Sequence, residues 1–99
     1  MKYELIIRSC AEQDIAQAVN WYEENATGLG SRFVLSLDAT LHSILRNPEA
    51  FPKVYKDIRR ALLLRFPYGI FYLIDENKII VIAVYHEKRN PENWKPRIG

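Results

Sequence analysis

Between Lys78 and Tyr85 stand six apolar residues in a row, Ile79-Ile80-Val81-Ile82-Ala83-Val84, all but Ala83 β-branched. Such side chains favour extended backbone. In a strand, successive side chains point to opposite faces. A strand that is apolar at every position therefore needs cover on both sides, and the rest of the chain has to supply that cover or leave it to a partner. Asp75-Glu76-Asn77 reads as a hairpin turn, and Tyr68 to Ile74 as the strand before it. A further strand is expected from about Asp57 to Phe66, with Leu62, Leu63 and Leu64 at its centre and Pro67 as punctuation. These three strands form an antiparallel meander.

The first half has a different period. Tyr3 to Arg8 is a short strand with Tyr3, Leu5 and Ile7 on one face and Glu4, Ile6 and Arg8 on the other. Ser9-Cys10-Ala11-Glu12 fits a capping box, with Ser9 as cap and Glu12 reaching back. The first helix then runs to about Ala26, its stripe made of Ile15, Val19, Tyr22 and Ala26 beside Ala18. Asp14, Gln17 and Glu24 lie on the opposite, wet face. Thr27-Gly28-Leu29-Gly30 breaks it, with Gly28 as a C-terminal cap. Ser31 starts a second helix on Phe33, Val34, Leu37, Leu41, Ile44 and Leu45, and Asn47-Pro48 ends it. The two helices read as an antiparallel hairpin, and Phe51-Pro52 opens a linker. Asn90-Pro91 looks like a cap followed by proline at the first position of a short terminal helix through Trp94.

The order is β-α-α-β-β-β, an α+β chain over residues 1–99 in one domain, with a helical hairpin on a mainly antiparallel four-stranded sheet. The hairpin covers one face. The other is to be covered by the tail around Trp94 or by another protein.

Charge narrows the function. The net charge is only +2, too small to imply nucleic acid by itself. Residues 1–50 nevertheless carry −3 and residues 51–99 carry +5, so an anion site is expected in the second half. Cys10 is the only cysteine, which excludes an intrachain disulfide and fits a reducing cytosol. The N-terminal apolar run is too short for a signal peptide, and no run approaches a membrane span. The expectation is a soluble, cytoplasmic protein. No histidine–cysteine–carboxylate cluster has metal-ligand spacing and no glycine-rich phosphate loop is present, so neither metal nor cofactor is expected.

The residues resemble, in order and over nearly the whole chain, the RelE/ParE family of small bacterial toxins from type II toxin–antitoxin modules. Trp21-Tyr22-Glu23-Glu24, Gly28-Leu29-Gly30 and Arg32-Phe33 are similar to that family's helical hairpin, and Ile44 with Asn47-Pro48 to its close. Arg59-Arg60, Arg65-Phe66-Pro67-Tyr68 and Tyr72 resemble its middle strands. His86, Arg89, Asn90-Pro91 and Trp94 resemble the His-x-x-Arg-(Asp/Asn)-Pro-x-x-Trp ending of ParE-like members. The resemblance implies a toxin held inactive by a cognate antitoxin, in a toxin–antitoxin hetero-oligomer with no membrane partner. It also implies one of two targets. ParE-like members inhibit DNA gyrase, and RelE-like members cut mRNA on the ribosome.

The two targets ask different things of the residues. Cleavage at a 2′-hydroxyl needs a base, cations for the phosphorane and an acid for the leaving oxygen. His86 is the one good proton carrier of the basic half. Arg59, Arg65 and Arg89 are the candidate cations, Tyr85 a candidate acid or stacking ring, and Glu87 a weaker base. For target binding without chemistry the candidates are Arg59, Arg60, Arg89 and Trp94. Arg59 and Arg60 point to opposite faces of a regular strand, so one is expected in solvent or paired with an acid such as Asp57. Lys88 is read as a solvated lysine. The leucines between Arg60 and Arg65 thin the cationic lining expected of a ribonuclease, which leans toward binding. Trp21, Tyr68 and Tyr72 are read as packing residues, His42 as surface beside Asp38 and Arg46, and Cys10 as a small buried filler.

Overall fold

In the computed structural model, which describes residues 2–89 and 91–98, the strands are β1 (Glu4–Ile7), β2 (Lys53–Tyr55), β3 (Ile58–Leu62), β4 (Tyr68–Asp75) and β5 (Lys78–His86). The helices are α1 (Ser9–Asn25) and α2 (Leu29–Arg46), and single 3-10 turns occupy Pro48–Ala50, Pro91–Asn93 and Lys95–Ile98. The class is α+β as expected, but the sheet has five strands in the order β1-β5-β4-β3-β2, with β1 parallel to β5 and the other pairs antiparallel. The extra strand is β2, in the segment read as linker. It is three residues long, mostly exposed and at the sheet edge, so it carries no burial pattern to read.

The apolar run lies next to the centre of the sheet, and its two faces have different covers. On one face Phe33, Leu37, Leu41 and Ile44 of α2 and Ala11 and Ala18 of α1 form one cluster with Ile70, Tyr72, Ile79, Val81 and Val84, with α1 lying against β5 and α2 against β3. On the other face Ile58, Phe71, Ile82, Ala83 and Tyr85 surround Trp94. The indole is only 3% exposed, its ring 4.6 Å from that of Phe71 and 5.9 Å from that of Tyr55. The tail, rather than another chain, covers the second face at this point. It does so with two 3-10 turns instead of the expected short helix. Asn90, read as that helix's cap, lies outside the described residues.

A bulge sets which side chains face which way. Phe71 pairs with Ala83 and Tyr72 with Val81, so Ile82 is an extra residue in β5. Ile82 and Ala83 consequently point the same way, into the tail-side cluster. Beyond the bulge the alternation is shifted by one. Val84 turns to the helices, Tyr85 to the opposite face, and His86 stands across from Tyr68.

Strand β5 also outlasts its parallel neighbour. The β1 ladder ends with Ile7 opposite Val81 and the Arg8 N–H donating to the Val81 carbonyl. Past that point side chains take over the exposed edge. Cys10 Sγ and Arg97 Nη1 donate to the Ile82 carbonyl at 3.4 and 3.0 Å, and the Val84 N–H donates to Asp14 Oδ2 at 3.1 Å. An unpaired strand edge is thereby closed. Arg8, serving as both last rung and α1 cap, displaces the expected capping box. Ser9 is already helical, and no side chain caps α1.

The helix turn differs in a similar way. Gly28 has φ +92, a left-handed conformation that favours glycine, and it immediately precedes α2, which starts at Leu29 rather than Ser31. The Glu23 carboxylate accepts the Gly28 and Gly30 N–H groups at 3.0 Å each, so a side chain of α1 caps α2. Tyr22 stacks on Phe33 at 5.4 Å, and both rings meet Phe66 and Tyr68. Trp21, expected in the packing, is 57% exposed and touches only the edge of this group through Tyr22. Val34, expected in the α2 stripe, is exposed as well.

Candidate functional site

The face opposite the helices holds a cavity of about 240 Å³. Its floor is apolar, with Leu62, Phe71, Tyr85 and Trp94, and its wall is charged, with Arg60, Arg89, Lys95 and Glu87; His86 borders it. Strand parity brings these together. Arg60 sits opposite Phe71 and Leu62 opposite Gly69, while Tyr85 pairs with Gly69 from the other side because of the bulge. Of the four residues read as target-binding, Arg60, Arg89 and Trp94 therefore meet at one cavity. Trp94 is part of its floor rather than an exposed contact.

Gly69 makes room for Arg60. A Cβ there would lie 3.1 and 3.2 Å from Arg60 Cγ and Cδ, so the arginine stem crosses β4 over the glycine. Arg60 Nε is enclosed and has no acceptor. Arg89 has its guanidinium carbon 4.2 Å from the Tyr85 ring centre. Lys95 lies 3.2 Å from Glu92 and 4.6 Å from the Tyr55 ring. Among the described residues, no hydrogen bond or ion pair reaches the guanidinium of Arg60 or of Arg89.

Arg59 does not join them. It faces the helix side, opposite Tyr72, and its Nη1 donates to the Phe51 carbonyl at 2.6 Å and the Glu49 carbonyl at 3.1 Å. It secures the linker after α2. Asp57, considered as its partner, pairs instead with Lys53 at 3.4 Å. Arg65 lies in the loop after β3 with φ +72, exposed, on a different surface. Strand β3 ends at Leu62, short of the expected Phe66, because the chain bends over residues 64–67, just after the Leu63 N–H bonds the Tyr68 carbonyl.

His86 is half-buried at the end of β5 with its ring edge-on to Tyr68, centroids 5.3 Å apart. Its Nδ1 accepts the Lys88 N–H at 3.1 Å, so the neutral ring carries its proton on Nε2. Burial pushes the Tyr68 hydroxyl's pKa upward, and the charge of Arg89 opposes that rise. His42 is exposed with Nδ1 2.9 Å from the Asp38 carbonyl. Among the described residues no three His, Cys, Asp or Glu side chains come together as metal ligands, and no helix is long and apolar enough to cross a membrane.

Two features had not been singled out from the sequence. One is a groove of about 770 Å³ between α2 and the β3–β4 loop, lined by Leu29, Arg32, Leu35, Ser36, Leu64, Arg65 and Phe66. Leu35 is 69% and Leu64 76% exposed, and Ser36 Oγ holds the loop by donating to the Leu64 carbonyl at 2.7 Å. The available signal was Leu35 itself, an apolar residue off the stripe of an amphipathic helix. The other feature is Arg97. Its Nη1 and Nη2 reach the Asp14 carboxylate at 2.7 and 3.3 Å, and Nη2 donates to the Tyr85 hydroxyl at 2.7 Å. Asp14, expected in water, is 8% exposed. The ion pair holds the Arg97 proton more tightly than usual.

Residues 5–91 match the family described as the ParE toxin of the type II toxin–antitoxin system, parDE. The chain is 29% identical to the toxin ParE2 of Mycobacterium tuberculosis over 100 aligned residues, covering 100% of this chain and 95% of that protein. Among solved structures it is similar to the chromosomal ParDE toxin–antitoxin system of P. aeruginosa, with a TM-score of 0.77 at 12% identity, over 86% of this chain and 96% of that one. It is also similar to the RelBE2 toxin–antitoxin complex of M. tuberculosis, with a TM-score of 0.62 at 14% identity, over 87% and 99% of the two chains.

Proposed function

Because the chain belongs to the ParE toxin family of type II toxin–antitoxin systems, we propose that it arrests growth in the cytoplasm by binding DNA gyrase, without chemistry of its own. The observation that supports binding over cleavage is the separation of the four residues a nuclease would use. Arg59 is bonded to the Glu49 and Phe51 carbonyls, and Arg65 borders the groove beside α2. Only His86 and Arg89 share a cavity. Phosphoryl chemistry needs its base and cations within hydrogen-bond reach of one phosphate. The contact with gyrase is the cationic rim of Arg60 and Arg89.

The second reading, a ribosome-dependent endoribonuclease acting on mRNA, draws on His86 standing beside Arg89. Two assays separate the readings. Purified protein inhibits supercoiling by gyrase if the first holds, and excess protein without effect removes it. Primer extension on messages from cells expressing the chain shows new ends at codon boundaries only if the second holds.

The reading includes a cognate antitoxin, as in the two similar toxin–antitoxin structures. Its seat is the groove beside α2. Leu35 and Leu64 are exposed apolar anchors, and Arg32 and Arg65 flank them. That combination suits an amphipathic segment with acidic residues beside its apolar face.

A further inference from the structure

We infer that the cavity walled by Arg60 and Arg89 is a binding site for a phosphate monoester. This goes beyond the gyrase reading and does not depend on which macromolecule is the target. The inference starts from how the arginines of the second half are used. Arg59 and Arg97 are engaged with carbonyls and with Asp14. Arg60 and Arg89, which border the same cavity, have no acceptor among the described residues. Lys95 is met by Glu92, and Glu87 is the one acid on the wall. With one acid against two guanidiniums, the wall keeps a net positive charge carried by Arg60 and Arg89.

The site is also shaped. Gly69 leaves the space in which the Arg60 stem lies flat, and the Tyr85 ring supports Arg89. Tyr85 is in turn fixed by the Arg97 guanidinium on its hydroxyl. Each guanidinium offers a planar fork of donors. A carboxylate, with two oxygens, satisfies one fork. A phosphate monoester, with three terminal oxygens and close to two negative charges at neutral pH, satisfies two. A volume of about 240 Å³ admits the phosphate and the first atoms it is esterified to, leaving the remainder outside.

A free nucleotide and the 5′ end of a nucleic acid both carry such a group, and titration calorimetry distinguishes them. The probes are inorganic phosphate, uridine 5′-monophosphate, and a short DNA strand with and without a 5′-phosphate. Saturable binding is expected for the monophosphate or the phosphorylated strand, or both, weakened about tenfold or more by Arg60→Gln and by Arg89→Gln. Lys78→Gln, an equal loss of charge at the other end of β5, leaves it unchanged. Arg89 is exposed, so its variant reports even if Arg60→Gln does not fold. Absence of saturation, equal binding of the unphosphorylated strand, or equal weakening by Lys78→Gln overturns the inference.

Discussion

The Arg97 guanidinium meets the Asp14 carboxylate at 2.7 Å, across 83 residues of sequence. It ties the last turn of the chain to the first helix and, through the Ile82 carbonyl and the Tyr85 hydroxyl, to the uncovered edge of β5. The same carboxylate holds the Val84 N–H. Removing either partner strands buried polar groups rather than merely losing a contact.

Asp14→Ala is accordingly expected to cost about 3 kcal/mol of folding stability, read by urea denaturation. Arg97→Ala costs somewhat less, because that side chain is more exposed. Asp14→Asn keeps an acceptor for Val84 and falls between wild type and alanine. If both alanine variants unfold at the wild-type midpoint, the tail is not held as described.

Tyr72 gives the alkaline limb of stability. Burial pushes its hydroxyl up to about 12 from the ordinary tyrosine value of 10.0, and it donates to the Pro48 carbonyl at 2.6 Å. A raised folded-state pKa means that its contribution is intact below pH about 10 and is lost as the pH climbs toward about 12. Stability should fall by roughly 2 kcal/mol over that interval. Tyr72→Phe costs about 1 kcal/mol at neutral pH and flattens the fall. Denaturant midpoints at a series of alkaline pH values measure both.

Arg59 and Arg89 should behave as opposites. Arg59→Ala lowers stability by about 1–2 kcal/mol through two lost carbonyl bonds. Arg89→Ala, at an exposed position with no acceptor among the described residues, changes it by less than about 0.5 kcal/mol yet reduces growth arrest on induction. His86→Ala abolishes arrest only under the nuclease reading. Thermal melts and colony counts on induced plates read the two effects separately.

The groove beside α2 allows a charge test. Leu64→Glu sits at an exposed position and should leave the melting temperature within a few degrees, while weakening rescue by a co-expressed antitoxin. Arg32→Glu, reversing a flanking charge, acts in the same direction. Growth with the antitoxin induced alongside is the readout, and full rescue of both variants would exclude the groove as its seat.

Much of the architecture could be read from side-chain periodicity, because burial repeats along the element that is buried. The stripe Phe33, Leu37, Leu41, Ile44 and the double-sided run of β5 each state their cover locally. Tyr68 and Tyr72 share a face as their spacing requires. Asp14 was misread because its partner is 83 positions away, and nothing near it in sequence announces an ion pair. The bulge at Ile82 was illegible for a related reason. A run that is apolar at every position gives no alternation against which one extra residue could be noticed. The candidate site divides along the same line. Arg60, Arg89 and Trp94 were read from motif and charge, whereas Leu35 and Leu64 mattered only once α2 and the β3–β4 loop were side by side.

The extra residue in β5 splits that strand into two segments of opposite phase. The first, from Ile79 to Val81, is locked by β1 and the helices. The second, from Ala83 to His86, presents Ala83, Tyr85 and His86 to the tail and the cavity while Val84 stays with the helices. The two segments share the helix-side cluster through Val84, but the tail-side positions Ala83 and Tyr85 are set by the bulge alone. A lineage is free to remodel its recognition end while the scaffold end stays constant, and deleting one residue at the junction would invert the recognition end wholesale.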